Sequence, residues 1–156
     1  MKRTIMILAL LLVVTTLSAQ DPTVWLNAFG KYKTENVIIV DTALSKAKIC
    51  DDISSWLSRV NIKLISADTC VFVCKGQYPV QVKKFCKTTQ GTVGYDLVLT
   101  IFDTKFKYVH NNFTFNGKAL ESKGVKAKER KQILVFLNKN ILNDVHSLTF
   151  YIKESN

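Results

Sequence analysis

The tightest constraint on the fold is a strict alternation in the middle of the chain. Val93, Tyr95, Leu97, Leu99 and Ile101 share one parity; Asp96, Val98, Thr100 and Phe102 take the other. Successive side chains on a strand point to opposite faces, so this segment reads as a strand with one apolar face. Asp103-Thr104 is a tight turn into a second run. There Phe106, Tyr108 and His110 alternate with Lys105, Lys107 and Val109. Phe113 and Phe115 have the opposite parity to Phe106 and Tyr108, which places a bulge or bend at Asn111-Asn112. Asn116-Gly117 ends the strand.

The remaining elements follow from the same periodicities. Val37-Ile38-Ile39-Val40 is a β-branched run, read as a buried strand that Asp41-Thr42 ends. Ser45 can cap a helix whose apolar face is Ile49, Ile53, Trp56, Leu57 and Val60, with Cys50 beside that face. Ile62 to Ser66 and Cys70 to Lys75 are strand-like runs joined by Ala67-Asp68-Thr69. Gly76 to Gly91 is less regular, although Val80 and Val82 extend a strand pattern after Pro79. Leu134, Leu137, Ile141, Val145 and Leu148 make a helical stripe from about Lys126 toward the C-terminus. Leu148 to Ile152 fits either helix or a final strand, because Phe150 and Ile152 also alternate with Leu148. The order β-α-β4-α predicts an α+β fold, an antiparallel sheet with two helices packed on one face.

These patterns resemble a known family. The strand before Asp41, Leu44-Ser45-Lys46, Trp56-Leu57, and the hairpin Tyr95-Asp96-Leu97-Val98-Leu99-Thr100-Ile101 with Lys105-Phe106-Lys107-Tyr108 are similar to the secreted bacterial DUF4468 family. The similarity spans about Val37 to Asn116. It implies a TATA-binding-protein-like fold and an exported location, and it brings no catalytic residues. The four cysteines are not part of that pattern.

The N-terminus reads as an export signal over residues 1–20. Lys2 and Arg3 precede the apolar run Ile5 to Val14, and Thr15-Thr16-Leu17-Ser18-Ala19-Gln20 is a small, polar exit with the cut after Ala19. The run is too short to span a bilayer, which takes about 20 residues. No cysteine follows the cleavage region, so a lipid anchor is not expected. Residues 21–156 are then a single α+β domain with an N-terminal extension over 21–36. The expected location is periplasmic or secreted, soluble after signal removal, with no transmembrane segment in the mature chain. The formal charge is +10, and +8 without Lys2 and Arg3. In an exported protein that charge points to an anionic envelope surface, an acidic glycan or an acidic protein rather than nucleic acid.

Cys50, Cys70, Cys74 and Cys86 are the disulfide candidates, an even count suited to an oxidising compartment. Cys70 and Cys74 lie four residues apart on a strand-like run, about 13 Å between Cα atoms, too far for a bridge. Two connectivities remain: Cys50–Cys70 with Cys74–Cys86, or Cys50–Cys74 with Cys70–Cys86. The C-x3-C spacing has no nearby histidine and makes a poor zinc site.

A search for chemistry is mostly negative. There is no G-x-S-x-G, no H-E-x-x-H, no phosphate-binding glycine loop and no C-x-x-C-H. His110 ends a strand and reads as a solvated or core-edge histidine, and His146 lies late in the second helix. Asp51-Asp52 point in different directions on a helix and are no acid–base pair. The expectation is a non-enzyme with no cofactor and no metal. Two basic clusters stand out. Lys123, Lys126, Lys128, Arg130 and Lys131 crowd the start of the second helix against its dipole. Lys75, Lys83, Lys84 and Lys87 flank Tyr78, Phe85 and Cys86, either as a binding loop or as the loop's own small core. A third surface is the sheet face away from the helices, where Val98, Thr100 and Phe102 point outward beside Lys105 and Lys107, unless Trp25, Leu26 and Phe29 fold over it. The leading functional expectation is a binding protein that contacts an anionic or amphiphilic envelope ligand through this open face. The alternatives are a protein-interaction module of an envelope complex and, behind it, a thiol-dependent enzyme.

Overall fold

The computed structural model describes residues 23–40, 43–60, 62–84 and 87–155. The export signal expected over 1–20 lies outside the described residues, as does Cys86. Among these residues nine elements follow in order: β1 (Trp25–Leu26), β2 (Tyr32–Ile39), α1 (Lys46–Arg59), β3 (Ile62–Asp68), β4 (Val71–Lys84), β5 (Lys87–Phe102), β6 (Lys105–Phe115), β7 (Lys118–Ala119) and α2 (Ala127–Glu154). The seven-stranded sheet runs β1-β2-β6-β5-β4-β3, with β7 on β6. Every pairing is antiparallel. α1 carries the chain from β2 across to the far edge at β3, and the β3–β6 meander returns to close on β2. This is the expected α+β sheet with its helices on one face.

The central hairpin obeys the alternation. Val93, Tyr95, Leu97, Leu99 and Ile101 are buried, as are Phe106, Tyr108, His110, Phe113 and Phe115. The parity switch in β6 is a bulge opposite Gly94 to Asp96, and Asn112 takes a positive φ of 51° to make it. Asn116 and Gly117 both have positive φ, the primed two-residue turn that suits strand twist, and β7 is its return strand.

Three sequence expectations change. The segment Gly76 to Gly91 is not irregular. β4 and β5 stay in register out to Lys84 opposite Lys87. Val80 and Val82 are buried on the helix side. Pro79 is tolerated because β3 starts opposite Gly76, so beyond that point β4 has no strand on its other side. The strand before Asp41 begins at Tyr32 and is half buried rather than buried: Ile38 and Val40 face the core, while Val37 and Ile39 are exposed. Trp25, Leu26 and Phe29 do not cover the open face. Trp25-Leu26 pairs with the start of β2 at the sheet edge, and Val24 turns to the helix side, where its N–H donates to Asn138 Oδ1 at 2.8 Å.

The helices cover the other face. Ser45 caps α1, its Oγ accepting from Lys48 N–H at 3.2 Å. Ile49, Ile53, Trp56 and Leu57 are buried, and Trp56 Nε1 donates to Ser147 Oγ of α2 at 3.2 Å. α2 continues as helix to Glu154. Ile133, Leu137, Ile141, Val145, Leu148 and Ile152 form its buried stripe, and Phe150 is exposed, so 148–152 is helical.

Candidate functional site

The open face is organised by register into cross-strand rows. The first row is Ile39, Lys105 and Phe102; the second is Val37, Lys107, Thr100, Val71 and Asp68. The third is Glu35, Val109, Val98, Val73 and Ser66, and the fourth is Asn111, Asp96, Lys75 and Lys63. An apolar band therefore crosses the face, with Lys105 and Lys107 set inside it. Ile39 is 62% exposed, Val37 44% and Phe102 40%, too much apolar surface for an ordinary solvated edge. Of the residues expected here, Val98, Thr100, Phe102, Lys105 and Lys107 all take the predicted places.

Electrostatics divide the face. Lys105 Nζ lies 5.6 Å from the centroid of the Phe102 ring and has no carboxylate partner among the described residues. Lys107 is different: its Nζ meets Glu35 Oε2 at 2.8 Å, and Lys33 meets the same oxygen at 3.0 Å. Lys107 and then Lys33 hold the Glu35 carboxyl below the usual range. Two cations on one carboxylate leave a net positive charge at the β2 side of the band. At the far side Lys63 stands directly opposite Lys75, and a groove of about 260 Å³ opens beside Lys63, Lys75, Gly76 and Gln77. Like charges directly opposite one another are unfavourable, and Asp96, opposite Lys75 on its other side, is the anion that offsets them.

The basic start of α2 does not join this face. Arg130 is turned inward: its Nε donates to Leu120 O at 2.8 Å, and its Nη2 to Ser122 O at 2.8 Å and Val125 O at 3.0 Å. Lys126 opens the helix, and its backbone N–H donates to Glu129 at 3.2 Å. Glu129 is buried and paired with Lys84 at 2.6 Å, which holds its carboxyl below the usual range. That buried acid offsets the crowding of cations at the positive helix end. Lys126, Lys128 and Lys131 are exposed, on the helical layer opposite the open face. Of the cluster expected around Tyr78, Tyr78 itself lies on the covered side, Lys75 is on the open face, and Phe85 and Cys86 lie outside the described residues. Gln132 clamps the Lys83 backbone, accepting from its N–H at 2.9 Å and donating to its carbonyl at 3.1 Å.

The three described cysteines, Cys50, Cys70 and Cys74, are thiols with no disulfide among them. Cys74 points into the core, fully buried, with its thiol pushed up to about 11 by burial.

Beneath the sheet lies a polar cluster that sequence reasoning missed. Tyr78 stacks on Tyr95 at 4.7 Å between centroids, and its hydroxyl donates to Asp144 of α2. Burial pushes up both the phenols and the Asp144 carboxyl. His110 is not solvated; it is buried, 5.2 Å from Tyr95 and 5.7 Å from Tyr108 between ring centroids. Neither ring nitrogen has a hydrogen-bond partner among the described residues, and burial pulls its pKa down to about 3. The cavity under it, lined in part by Trp56, Leu97 and Asp144, holds about 10 Å³, room for at most one water. Among the described residues no three His, Cys, Asp or Glu side chains gather as a metal site. The only signal for this cluster was the parity of Tyr78, Tyr95 and His110 with their apolar neighbours.

Comparison with known proteins adds the fold and nothing finer. No family model and no curated protein matches the chain. A DUF4468 family protein from Bacteroides ovatus ATCC 8483 is similar in structure with a TM-score of 0.61 at 14% identity, covering 79% of this chain and 88% of that one. A TBP-like protein from Parabacteroides distasonis ATCC 8503 gives 0.61 at 12% identity, covering 79% and 93%. The resemblance drawn from Trp56-Leu57 and the 95–108 hairpin thus extends to three dimensions: the chain has a TBP-like α+β fold, shared with a DUF4468 family protein.

Proposed function

We propose that the open sheet face is a docking surface for an anionic amphiphile of the cell envelope, and that the protein acts by binding rather than by catalysis. The observation that carries this reading is the row of Ile39, Lys105 and Phe102 next to Val37, Lys107 and Thr100, apolar area with cations inside it. Acyl chains suit the valines, Ile39 and Phe102. An acid headgroup suits Lys105 and the Lys33–Glu35–Lys107 cluster, whose net charge is positive. Long lysine side chains lay their methylenes on apolar surface while the ammonium reaches outward, so both requirements are met by the same residues. Among the described residues no helix is long and apolar enough to cross a membrane.

Cosedimentation with vesicles tests the reading. Residues 21–156 are expected to bind phosphatidylglycerol vesicles and not phosphatidylcholine vesicles. Each basic residue near an anionic surface contributes about 1 kcal/mol, so the double variant Lys105→Gln, Lys107→Gln is expected to bind roughly 30-fold more weakly. Lys128→Gln with Lys131→Gln, on the helical layer, is expected to bind like the parent. Equal retention of the parent and the Lys105/Lys107 variant would overturn the proposal.

A protein partner is the second reading, favoured by β3. That strand is a sheet edge with Leu64 and Ile65 exposed, a template for strand addition. Cross-linking from position 64 that captures one protein reproducibly, and loses it on Ile65→Lys, supports this reading over the lipid one.

A further inference from the structure

α1 and the β3–β4 turn bring two thiols together at the edge of the helical layer. Cys50 is half-buried in the second turn of α1, and its Sγ lies 3.8 Å from the carbonyl oxygen of Thr69. Thr69 is the residue before Cys70. Cys70 lies near enough to Cys50, and to the Lys46 ammonium one turn before Cys50, to act electrostatically on both. The turn that presents Cys70 is held in place. Its carbonyl accepts the Ile101 N–H at 2.8 Å, and Thr69 N–H donates to the Asp68 carboxylate at 2.7 Å. Cys74 is the internal contrast, sealed in the core.

We propose that Cys50 and Cys70 are a reversible dithiol–disulfide pair that staples α1 to the β3–β4 turn. Among the described cysteines, Cys50 and Cys70 are the two that meet at this edge, where the Cys50 sulfur touches the carbonyl of the residue before Cys70. The oxidant is a disulfide of low molecular mass. One cysteine sulfur attacks it, forming a mixed disulfide and releasing one thiol. The second cysteine sulfur then displaces the remaining half as a second thiol. The protein loses two protons and two electrons, which the oxidant takes up as its two thiols, and one S–S bond forms as another breaks. Lys46 beside the pair supplies the cationic surroundings in which such exchange proceeds. Cys50 keeps its proton more firmly, because burial and the neighbouring Cys70 push its thiol up.

The test uses the unmodified chain over residues 21–156, equilibrated with oxidised glutathione, alkylated, and digested without reduction. The expected product is a Cys50 peptide linked to a Cys70 peptide and lighter by two hydrogens. A bridge closing a loop of this length is expected to raise the melting temperature by about 10 °C over the reduced protein. Cys50→Ser and Cys70→Ser should each remove that rise, while Cys74→Ala should leave it. Recovery of Cys50 and Cys70 as alkylated thiols after oxidation would overturn the proposal, as would a bridge from either of them to Cys74 or Cys86.

Discussion

At the scale of single residues, His110 is the clearest case of burial deciding chemistry. An unpartnered imidazole in the core is kept neutral, with its pKa pulled from the usual 6.5 to about 3. The unfolded chain therefore binds a proton that the folded chain refuses. Stability is full above pH 6.5 and is lost as the pH falls toward 3. Between pH 7 and pH 5 this one group is expected to cost about 2 kcal/mol. Asp144 works in the opposite sense, since its raised carboxyl gains a proton more readily in the fold. Chemical denaturation at pH 7 and pH 5 should show a midpoint that falls with pH in the parent and changes much less in His110→Leu. An identical pH response in the two proteins would contradict this account of the site. The parity of His110 with Phe106 and Tyr108 made its inward direction legible in the sequence. The absence of a partner was not, because it depends on what β2 and α2 bring beside it.

At the scale of elements, local patterns were readable and long-range pairings were not. The hairpin 93–115, its bulge at Asn111-Asn112, the Ser45 cap and both helical stripes follow from periods of two and 3.6 that any neighbour must respect. The 76–91 segment was read as irregular because Gly76, Pro79 and Gly91 are usual strand breakers. Each is tolerated for a tertiary reason: β3 starts opposite Gly76, so Pro79 has β5 on one side and no strand on the other, and Tyr95 and Phe115 pack over Gly76 and Gly91, where a Cβ would lie 2.2 Å and 2.4 Å from their rings. Within the basic start of α2, Arg130 alone departs from the sequence reading, since it serves the 120–125 connection. Removing its fork leaves three carbonyls without that donor. Arg130→Met is expected to cost about 2 kcal/mol, seen as a lower urea midpoint and faster amide exchange around Leu120 to Val125. Lys at 130 should recover less than half, because a point charge cannot bridge three acceptors in a fixed plane. A midpoint unchanged in both variants would show that the loop stands without it.

At the scale of the whole molecule, the sheet separates two surfaces. The helical layer holds the core, the paired Glu129 and the inward Arg130. The open face carries Lys33, Lys63, Lys75, Lys105 and Lys107 against Glu35, Asp68 and Asp96, around an uncovered apolar band. Half of that band was legible: Val98, Thr100, Phe102, Lys105 and Lys107 follow from the parity of one hairpin. Val37, Ile39, Glu35, Val71 and Val73 join it only through the pairing of β2 with β6 and of β4 with β5, and the first of these closes a separation of about seventy residues. The most direct measurement of the central claim places a reporter in the band. In a Trp25→Phe background, Phe102→Trp on the open face and Phe150→Trp on the exposed side of α2 are compared by emission during titration with phosphatidylglycerol vesicles. The account predicts a shift to shorter wavelength for the residue-102 reporter and none for the residue-150 reporter. A shift at 150 with none at 102, or no shift at either, would contradict it.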